Sequence, residues 1–321
     1  MIEIRYPLVT GGAGFIGSNL VKRLSDIEEV ETVYCVDLPN SPRFKELRVL
    51  PKVQIVESDL NEIKSLDSLP DDPSVIFALA ALNGTSRFYT NPWMVLKGSL
   101  LPTLNIIEKY KTSSPIVYSS SSEVYASTVE HFSGLVPTPE NISPSLSNIH
   151  NPRWSYAGAK MLGEIAMNAA AVEYGLRGSI VRYHNVYGPN MGLDHFVPDF
   201  IARAKNNIRE ITGADNTRSF IYISDAIEGT IAAARMASTE IPIYHLGTSD
   251  ELTIKDAAVK ILKLMGQPTK DLKVLDAPDG SVARRCPDIS KAKRELGWTP
   301  KVSFESGILD YLERNDFTYK Q

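Results

Sequence analysis

The sequence runs to 321 residues, 43% hydrophobic and 22% charged, enough apolar content to bury a large core in one domain or two closely joined ones. A net charge of -4 at pH 7, with no runs of lysine or arginine, argues against nucleic-acid or anionic-membrane partners, so phosphate recognition has to be local. Two cysteines, Cys35 and Cys286, argue against a disulfide framework, five histidines show no metal-ligand spacing, and the longest apolar run, Val75 to Leu82, falls far short of the ~20 residues of a membrane helix; with no basic-then-apolar leader, a cytoplasmic protein is expected.

β-branched and apolar runs recur at Ile2 to Val9, Val33 to Val36, Val53 to Val56, Val75 to Leu79, Ile116 to Tyr118 and Ile180 to Tyr183, with helix-like stretches between most of them. That alternation predicts an α/β fold with a doubly wound parallel sheet. The first run enters Thr10-Gly11-Gly12-Ala13-Gly14-Phe15-Ile16-Gly17, and an amphipathic helix, Phe15 to Leu24, follows at once. Backbone approaches a pyrophosphate closely only where side chains are absent, and the helix N-terminus then faces the anion. Asp37 closes the second strand twenty residues after Gly17. A carboxylate there takes both hydroxyls of an adenosine ribose and repels a 2′-phosphate, so NAD is expected over NADP. Asp59, ending the third strand, is placed to reach the adenine or simply to end the strand; Leu60 and Ala80 complete the expected cofactor contacts with Gly11, Gly14, Phe15, Ile16 and Gly17.

The run from Ile116 leads into Tyr118-Ser119-Ser120-Ser121-Ser122-Glu123-Val124-Tyr125, beyond the carboxyl end of a strand, where ligands bind in such sheets. A hydroxyl here can share a substrate proton, and a carboxylate two residues on can act as a second acid or base; a serine-rich turn capping the strand is the alternative. Farther on, Trp154-Ser155-Tyr156-Ala157-Gly158-Ala159-Lys160 sets a phenol and an ammonium four residues apart on one helix face. Pulling a tyrosine from its usual pKa of about 10 towards neutrality takes roughly 1.4 kcal/mol per pH unit, which a cation one turn away helps supply. Tyr156 is therefore the candidate acid/base. Beyond about Gly188 the rhythm loosens into short helices, one opened by Thr253 with Asp256 three residues on as a capping box. The expected division is 1–187 as a dinucleotide-binding domain and 188–321 as a smaller substrate lobe, with a return strand near 241–247 rejoining the first sheet.

With these residues assembled, the chain resembles the extended short-chain dehydrogenase/reductase family over nearly its whole length, and within it the NAD-dependent nucleotide-sugar epimerases, dehydratases and decarboxylases. The family's glycine motif falls on Gly11, Gly14 and Gly17, its serine on Ser121, and its Tyr-x-x-x-Lys pair on Tyr156 and Lys160. Further matches are Arg182 to Pro189, Arg218 to Tyr222 with Asp225, and Arg285 to Ala292 leading to Leu296-Gly297-Trp298. The resemblance implies a Rossmann fold, bound NAD, no metal, and a nucleotide-diphosphate sugar met by Ser121, Ser122, Asn185, Arg218 and Arg285, with Ser86 and Arg87 facing the sugar from the loop Asn83 to Arg87. It also implies hydride removal from C4 of the sugar while Tyr156 takes the hydroxyl proton and Lys160 and Ser121 hold the oxygen. From the 4-keto sugar the subfamilies diverge to an epimer, a 4-keto-6-deoxy sugar, or loss of carbon dioxide from a uronic acid. Glu123 bears on that choice: 4-epimerases of the family usually carry a small residue there, whereas dehydratases and decarboxylases carry glutamate. Ser121-Ser122-Glu123 resembles the decarboxylases and GDP-mannose dehydratases, and Asn151-Pro152-Arg153-Trp154 the bacterial decarboxylases.

The sequence also departs from the family pattern. Ala78 replaces a common histidine, Ser99 stands where many members have an active-site asparagine, and Gly192-Leu193-Asp194-His195 is an unusual polar insertion in which His195 is either a sugar contact or a structural histidine. Two helices, Pro92 to Tyr110 and Tyr156 to Tyr174, are apolar nearly all round and so must be covered on both sides; in the family they form a dimer interface, and a homodimer is expected. A non-catalytic NAD- and nucleotide-sugar-binding protein of this fold would be marked by loss of Tyr156, Lys160 or Ser121, and all three are present.

Overall fold

All six apolar runs become strands of one parallel sheet in the computed structural model, which describes residues 2–131, 135–277 and 282–315. They are β1 (Pro7–Thr10), β2 (Val33–Asp37), β3 (Val53–Glu57), β4 (Val75–Ala78), β5 (Ile116–Ser121) and β6 (Gly178–Tyr183). The return strand, Ile243–Leu246, pairs with β6 and gives the seven-stranded order return strand, β6, β5, β4, β1, β2, β3. β1 and β4 are buried at every residue. Helices cover both faces, which is why these strands read as unbroken apolar runs. Chain order reverses between β1 and β4, so a crevice opens beyond their carboxyl ends. The first strand starts at Pro7, later than the apolar run predicts; Ile2 instead donates its N–H to the Arg235 carbonyl at the end of a helix from the second half.

The predicted helix Pro92–Tyr110 forms, the helix expected over Phe15 to Leu24 runs one residue longer as Phe15–Ser25, and the third starts two residues early as Trp154–Tyr174. Pro92 occupies the first turn, where its missing N–H costs nothing, and Gly175, at φ +72°, ends the Trp154–Tyr174 helix in the left-handed conformation. These two long helices pack against each other beside β5. Their outer faces leave Trp93 (71% exposed), Ile165 (61%) and Val172 (82%) uncovered.

Beyond residue 187 the expected short helices are joined by strands that the sequence pattern does not announce. Thr217–Ser219 pairs antiparallel with Glu251–Thr253 and parallel with Arg284–Arg285, and Glu210–Thr212 pairs with Lys273–Leu275. At two or three residues each they are too short for a period-2 signal. They matter because Arg285 is placed in register with Arg218. Thr253 caps the helix as expected, its Oγ1 accepting the Asp256 N–H at 2.9 Å, but the Asp256 carboxylate takes the Thr253 hydroxyl at 2.7 Å, where a full capping box would have it take the Thr253 N–H. Among the described residues no helix is long and apolar enough to cross a membrane.

Candidate active site

The glycine turn closes the crevice floor. Gly11 sits at φ +64°, and a Cβ on it would lie 2.9 Å from the backbone nitrogen of Ala80; a Cβ on Gly17 would lie 2.0 Å from the Gly11 carbonyl oxygen. Only glycine fits either place. The helix that follows has no side-chain N-cap and no acid in its first turn, which leaves its N-terminal N–H groups for an anion. Asp37 stands at the rim, its two oxygens accepting the Ala13 and Leu38 N–H groups at 2.8 Å each. From here a cleft of about 1120 Å³ runs past Phe15, Ile16, Asp59, Leu60 and Ala80, then over Ser121, Glu123, Tyr156 and Lys160 to Asn185, Arg218 and Arg285. The backbone cradle, the open helix end and the carboxylate at ribose distance along the strand fit a dinucleotide.

Tyr156, Lys160 and Ser121 converge at the middle of this cleft. Tyr156 is 8% exposed, and Phe88 stacks on its ring at 5.2 Å and 15°. Burial and the nearby charge of Glu123 raise its phenol well above the ordinary value, while a hydrogen bond with Ser121 pulls it back. Lys160 Nζ lies 5.7 Å from the Tyr156 ring centre and donates to the Ser119 carbonyl at 2.6 Å and to Ser119 Oγ at 3.3 Å. Burial lowers its pKa to about 7, against the opposing pull of Glu164. Ser121 Oγ also accepts the Glu123 N–H at 3.2 Å, capping the short turn Ser122–Tyr125 that follows β5.

Glu123 is not a free carboxylate. Its Oε1 accepts from Arg285 Nη1 at 2.6 Å and lies 3.5 Å from Arg153 Nη2. Burial alone would raise its pKa, but Arg285 and Arg153 outweigh burial and hold it down at about 2. Arg218 adds a third guanidinium, its own pKa lowered to about 9 by burial and by the neighbouring Arg285. Three cations therefore face one anion. One helical turn past Lys160, Glu164 accepts from Ser120 at 2.5 Å and pairs with Arg182 through both oxygens at 2.8 and 2.5 Å, Arg182 reaches the Tyr125 hydroxyl, and Tyr125 meets His245 Nε2 at 3.0 Å.

Most residues expected from sequence line the cleft, including Ser122, which is 6% exposed, and Asn185, whose amide donates to the Ser219 carbonyl at 3.0 Å. Ser86 and Arg87 do not. They belong to the helix Thr85–Thr90, whose cleft-facing residues are Thr85, Phe88 and Tyr89, and helical periodicity turns positions 86 and 87 outward. Ser86 instead donates to Asp194 Oδ1 at 2.9 Å, tying that helix to the Gly192 to His195 insertion. His195 lines the cleft at the start of the helix Phe196–Lys205, its pKa lowered by burial. Ser99 is fully buried and exchanges hydrogen bonds with the backbone of Leu82. Three contributors are missing from the sequence-derived site: Ser119, Phe88 and Arg153. Arg153 carries a readable signal, because it lies three residues before Tyr156 and so shares its helix face. Among the described residues no group of histidine, cysteine, aspartate or glutamate is arranged to hold a metal ion.

Residues 7–247 match the model of the NAD dependent epimerase/dehydratase family. The UDP-glucuronic acid decarboxylase 3 of Arabidopsis thaliana is 30% identical over 308 residues, 94% of this chain and 86% of the relative. The UDP-N-acetyl-alpha-D-glucosaminuronate decarboxylase of Bacillus cytotoxicus is 29% identical over 317 residues, 95% of this chain and 96% of the relative. Among solved structures, the UDP-glucose 4-epimerase of Thermotoga maritima, crystallised with UDP-glucose, superposes with a TM-score of 0.84 at 26% identity, covering 97% of this chain and 99% of that one.

Proposed function

The chain belongs to the NAD dependent epimerase/dehydratase family, and from that premise we propose that it decarboxylates a nucleotide-diphosphate uronic acid by transient oxidation at C4. It is an NAD-dependent enzyme that modifies nucleotide sugars, and the fate of the 4-keto sugar sets its product. One observation carries the decarboxylase reading, the grip of Arg285 and Arg153 on Glu123. A carboxylate with a pKa of about 2 is a weak base, and general-base efficiency falls as the pKa departs from the working pH. Proton removal from C5, which dehydration requires, is therefore poorly served. A 4-keto uronate needs no such base, because it is a β-keto acid: the bond from C5 to the carboxylate breaks, carbon dioxide leaves, the electron pair forms an enolate on the C4 oxygen, and C5 takes one solvent-derived proton. The groups required are donors to that oxygen, which Tyr156 and Ser121 supply. The surplus of guanidinium charge suits a substrate carrying a carboxylate as well as a diphosphate. Both relatives named above are uronate decarboxylases.

NAD, when bound on the glycine turn and Asp37, supplies the C4 hydride acceptor and later the donor. Tyr156 takes the C4 hydroxyl proton and returns it at the end. Ser121 shares that proton, and Lys160 is held by Ser119 with its Nζ 5.7 Å from the Tyr156 ring centre. A 4-epimerase is the second reading, favoured by the solved structure with TM-score 0.84; in it Glu123 would only accept hydrogen bonds from the arginines. Incubation with UDP-, GDP-, dTDP- and CDP-linked hexoses and uronates, read by mass spectrometry, separates the readings. Loss of carbon dioxide with one deuterium at C5 in heavy water is expected. Loss of water would instead mean dehydration, and a product of unchanged mass would mean epimerisation.

The same reading divides the chain into a dinucleotide-binding part, 1–187 with the return strand, and a sugar-binding lobe, 188–321. It also makes the enzyme a homodimer through the uncovered faces of Pro92–Tyr110 and Trp154–Tyr174, supported by the exposure of Trp93, Met94, Ile165 and Val172. A cytoplasmic setting suits its two free, buried thiols, Cys35 and Cys286.

A further inference from the structure

Arg285 stands between two spaces. In the main cleft its Nη1 grips Glu123 at 2.6 Å. On its other side it lines a small cavity of about 10 Å³ together with Ser122, Tyr125, Thr138, His184 and Cys286. Arg285 is 8% exposed and His184 2%. Both are buried, yet among the described residues Arg285 Nε and Nη2 and both ring nitrogens of His184 have no hydrogen-bond partner. A buried polar group left unpaired costs about 1–3 kcal/mol, and more when charged. Space of roughly 10–15 Å³ is what one water needs, provided at least two polar groups reach it. Two residues that line the cavity, Arg285 and His184, are the ones that carry these unpaired groups.

We propose that one water occupies this cavity, accepting from Arg285 Nε or Nη2 and donating to a ring nitrogen of His184, so that His184 is a positioning residue for the guanidinium that holds Glu123. The imidazole is fixed for this task. Its backbone N–H donates to the Leu246 carbonyl of the return strand at 3.0 Å, and its ring packs edge-on against His245 at 4.8 Å. Gly247 leaves it room, since a Cβ there would lie 2.9 Å from His184 Cβ. Burial, with His245 and Arg285 alongside, keeps the ring neutral by lowering its pKa well below the ordinary value, so a nitrogen lone pair is available to the water. The water also explains how Arg285 holds a single direction while only one of its nitrogens touches Glu123.

The water site stands on geometry alone, whereas its effect on turnover rests on the decarboxylase reading of Glu123. A high-resolution crystal structure of the full chain should show one water peak within about 3.2 Å of a His184 ring nitrogen and of Arg285 Nε or Nη2. His184→Phe removes the acceptor and occupies part of the space. It should lower kcat on the nucleotide uronate roughly tenfold, the equivalent of one hydrogen bond of about 1.4 kcal/mol, while NAD content and KM stay within about twofold of wild type. His184→Gln, which restores an acceptor, should recover kcat to within about threefold. A cavity without a water peak overturns the proposal, as does a folded His184→Phe enzyme with wild-type kcat or a His184→Gln enzyme as slow as His184→Phe. If His184→Phe does not fold, the wild-type water peak decides. A substrate panel yielding no decarboxylation would overturn the decarboxylase reading and leave the water site to be judged by the peak.

Discussion

Replacing Glu123 by glutamine keeps the shape and one acceptor oxygen but removes the charge between Arg285 and Arg153. Its pKa is held at about 2 against an ordinary 4.5, so the ionised carboxylate stabilises the fold by about 3 kcal/mol at neutral pH. Because the folded-state pKa is the lower one, that contribution is fully present above about 4.5 and is lost as pH falls towards 2; at pH 3 more than half of it is gone. Leaving two guanidiniums buried without their anion costs a comparable ~3–5 kcal/mol, of which the glutamine oxygen recovers a part. Glu123→Gln is therefore expected to melt roughly 4–5 °C below wild type at pH 7, with the gap narrowing as wild type is acidified. Turnover on the nucleotide uronate should fall about 10²-fold through displacement of Arg285, while bound NAD is retained. Thermal and urea unfolding of both proteins at pH 7 and pH 3, with cofactor content measured on each, makes the comparison. Equal melting temperatures at pH 7, or a gap that does not change with pH, would refute the clamp. Wild-type enzyme in heavy water that returns unreacted substrate deuterated at C5 would show a base acting there, contrary to a Glu123 locked in its ion pairs.

Tyr156→Phe should abolish turnover yet leave NAD bound, checked by product formation and by cofactor released on denaturation; turnover near wild type would remove Tyr156 from the acid/base role. Gly17→Ala should yield protein with little or no bound NAD, because the new methyl would fall 2.0 Å from the Gly11 oxygen and push the turn out of shape. In the cofactor-free protein Lys160 titrates near 7 instead of 10.5, so the unfolded chain binds more protons between those values and wild type should gain stability over Lys160→Met, by up to about 1.4 kcal/mol per pH unit, as pH rises from 7 to 9. Parallel stability curves for the two proteins would count against that depressed lysine. Ile165→Asp, on the 61% exposed outer face, should turn a dimer into a monomer by light scattering; a monomeric wild type at micromolar concentration would remove the interface.

The parts of this molecule that can be read from sequence are those in which residues close along the chain act together. Gly11 to Gly17 is one turn, Asp37 ends the adjacent strand, and Tyr156 and Lys160 share a helix face; each follows from local geometry. The clamp has no such signature. Glu123 and Arg285 are 162 residues apart, and Arg285 reaches the cleft because a two-residue strand sets it beside Arg218. Nothing with periodicity announces a strand of that length. Ser86 and Arg87 escape the sequence pattern for a related reason. An open polar loop would let both face the sugar, whereas residues 85–90 coil into a helix, and one turn of helix carries two of every four residues away from the cleft.

The spacing of the catalytic pair is matched by spacing in the strand it faces. The Trp154–Tyr174 helix crosses back between β5 and β6, two parallel neighbours, so it runs opposite to β5. Four residues of helix advance about 6 Å and two residues of strand about 6.6 Å. A step from Tyr156 to Lys160 on the helix is therefore nearly the step from Ser121 back to Ser119 on β5, and the observed partners are those: Tyr156 with Ser121, and Lys160 Nζ with Ser119 at 2.6 and 3.3 Å. Ser120 between them meets the same helix one turn farther on, donating to Glu164, so all three serines at the end of β5 are tied to Trp154–Tyr174. Tyr-x-x-x-Lys and Ser-x-Ser are thus two readings of one registry, and either motif alone could be an ordinary surface pattern. Together they fix the distance between phenol and ammonium before any substrate arrives, which leaves the guanidiniums of the second lobe to decide what is held against them.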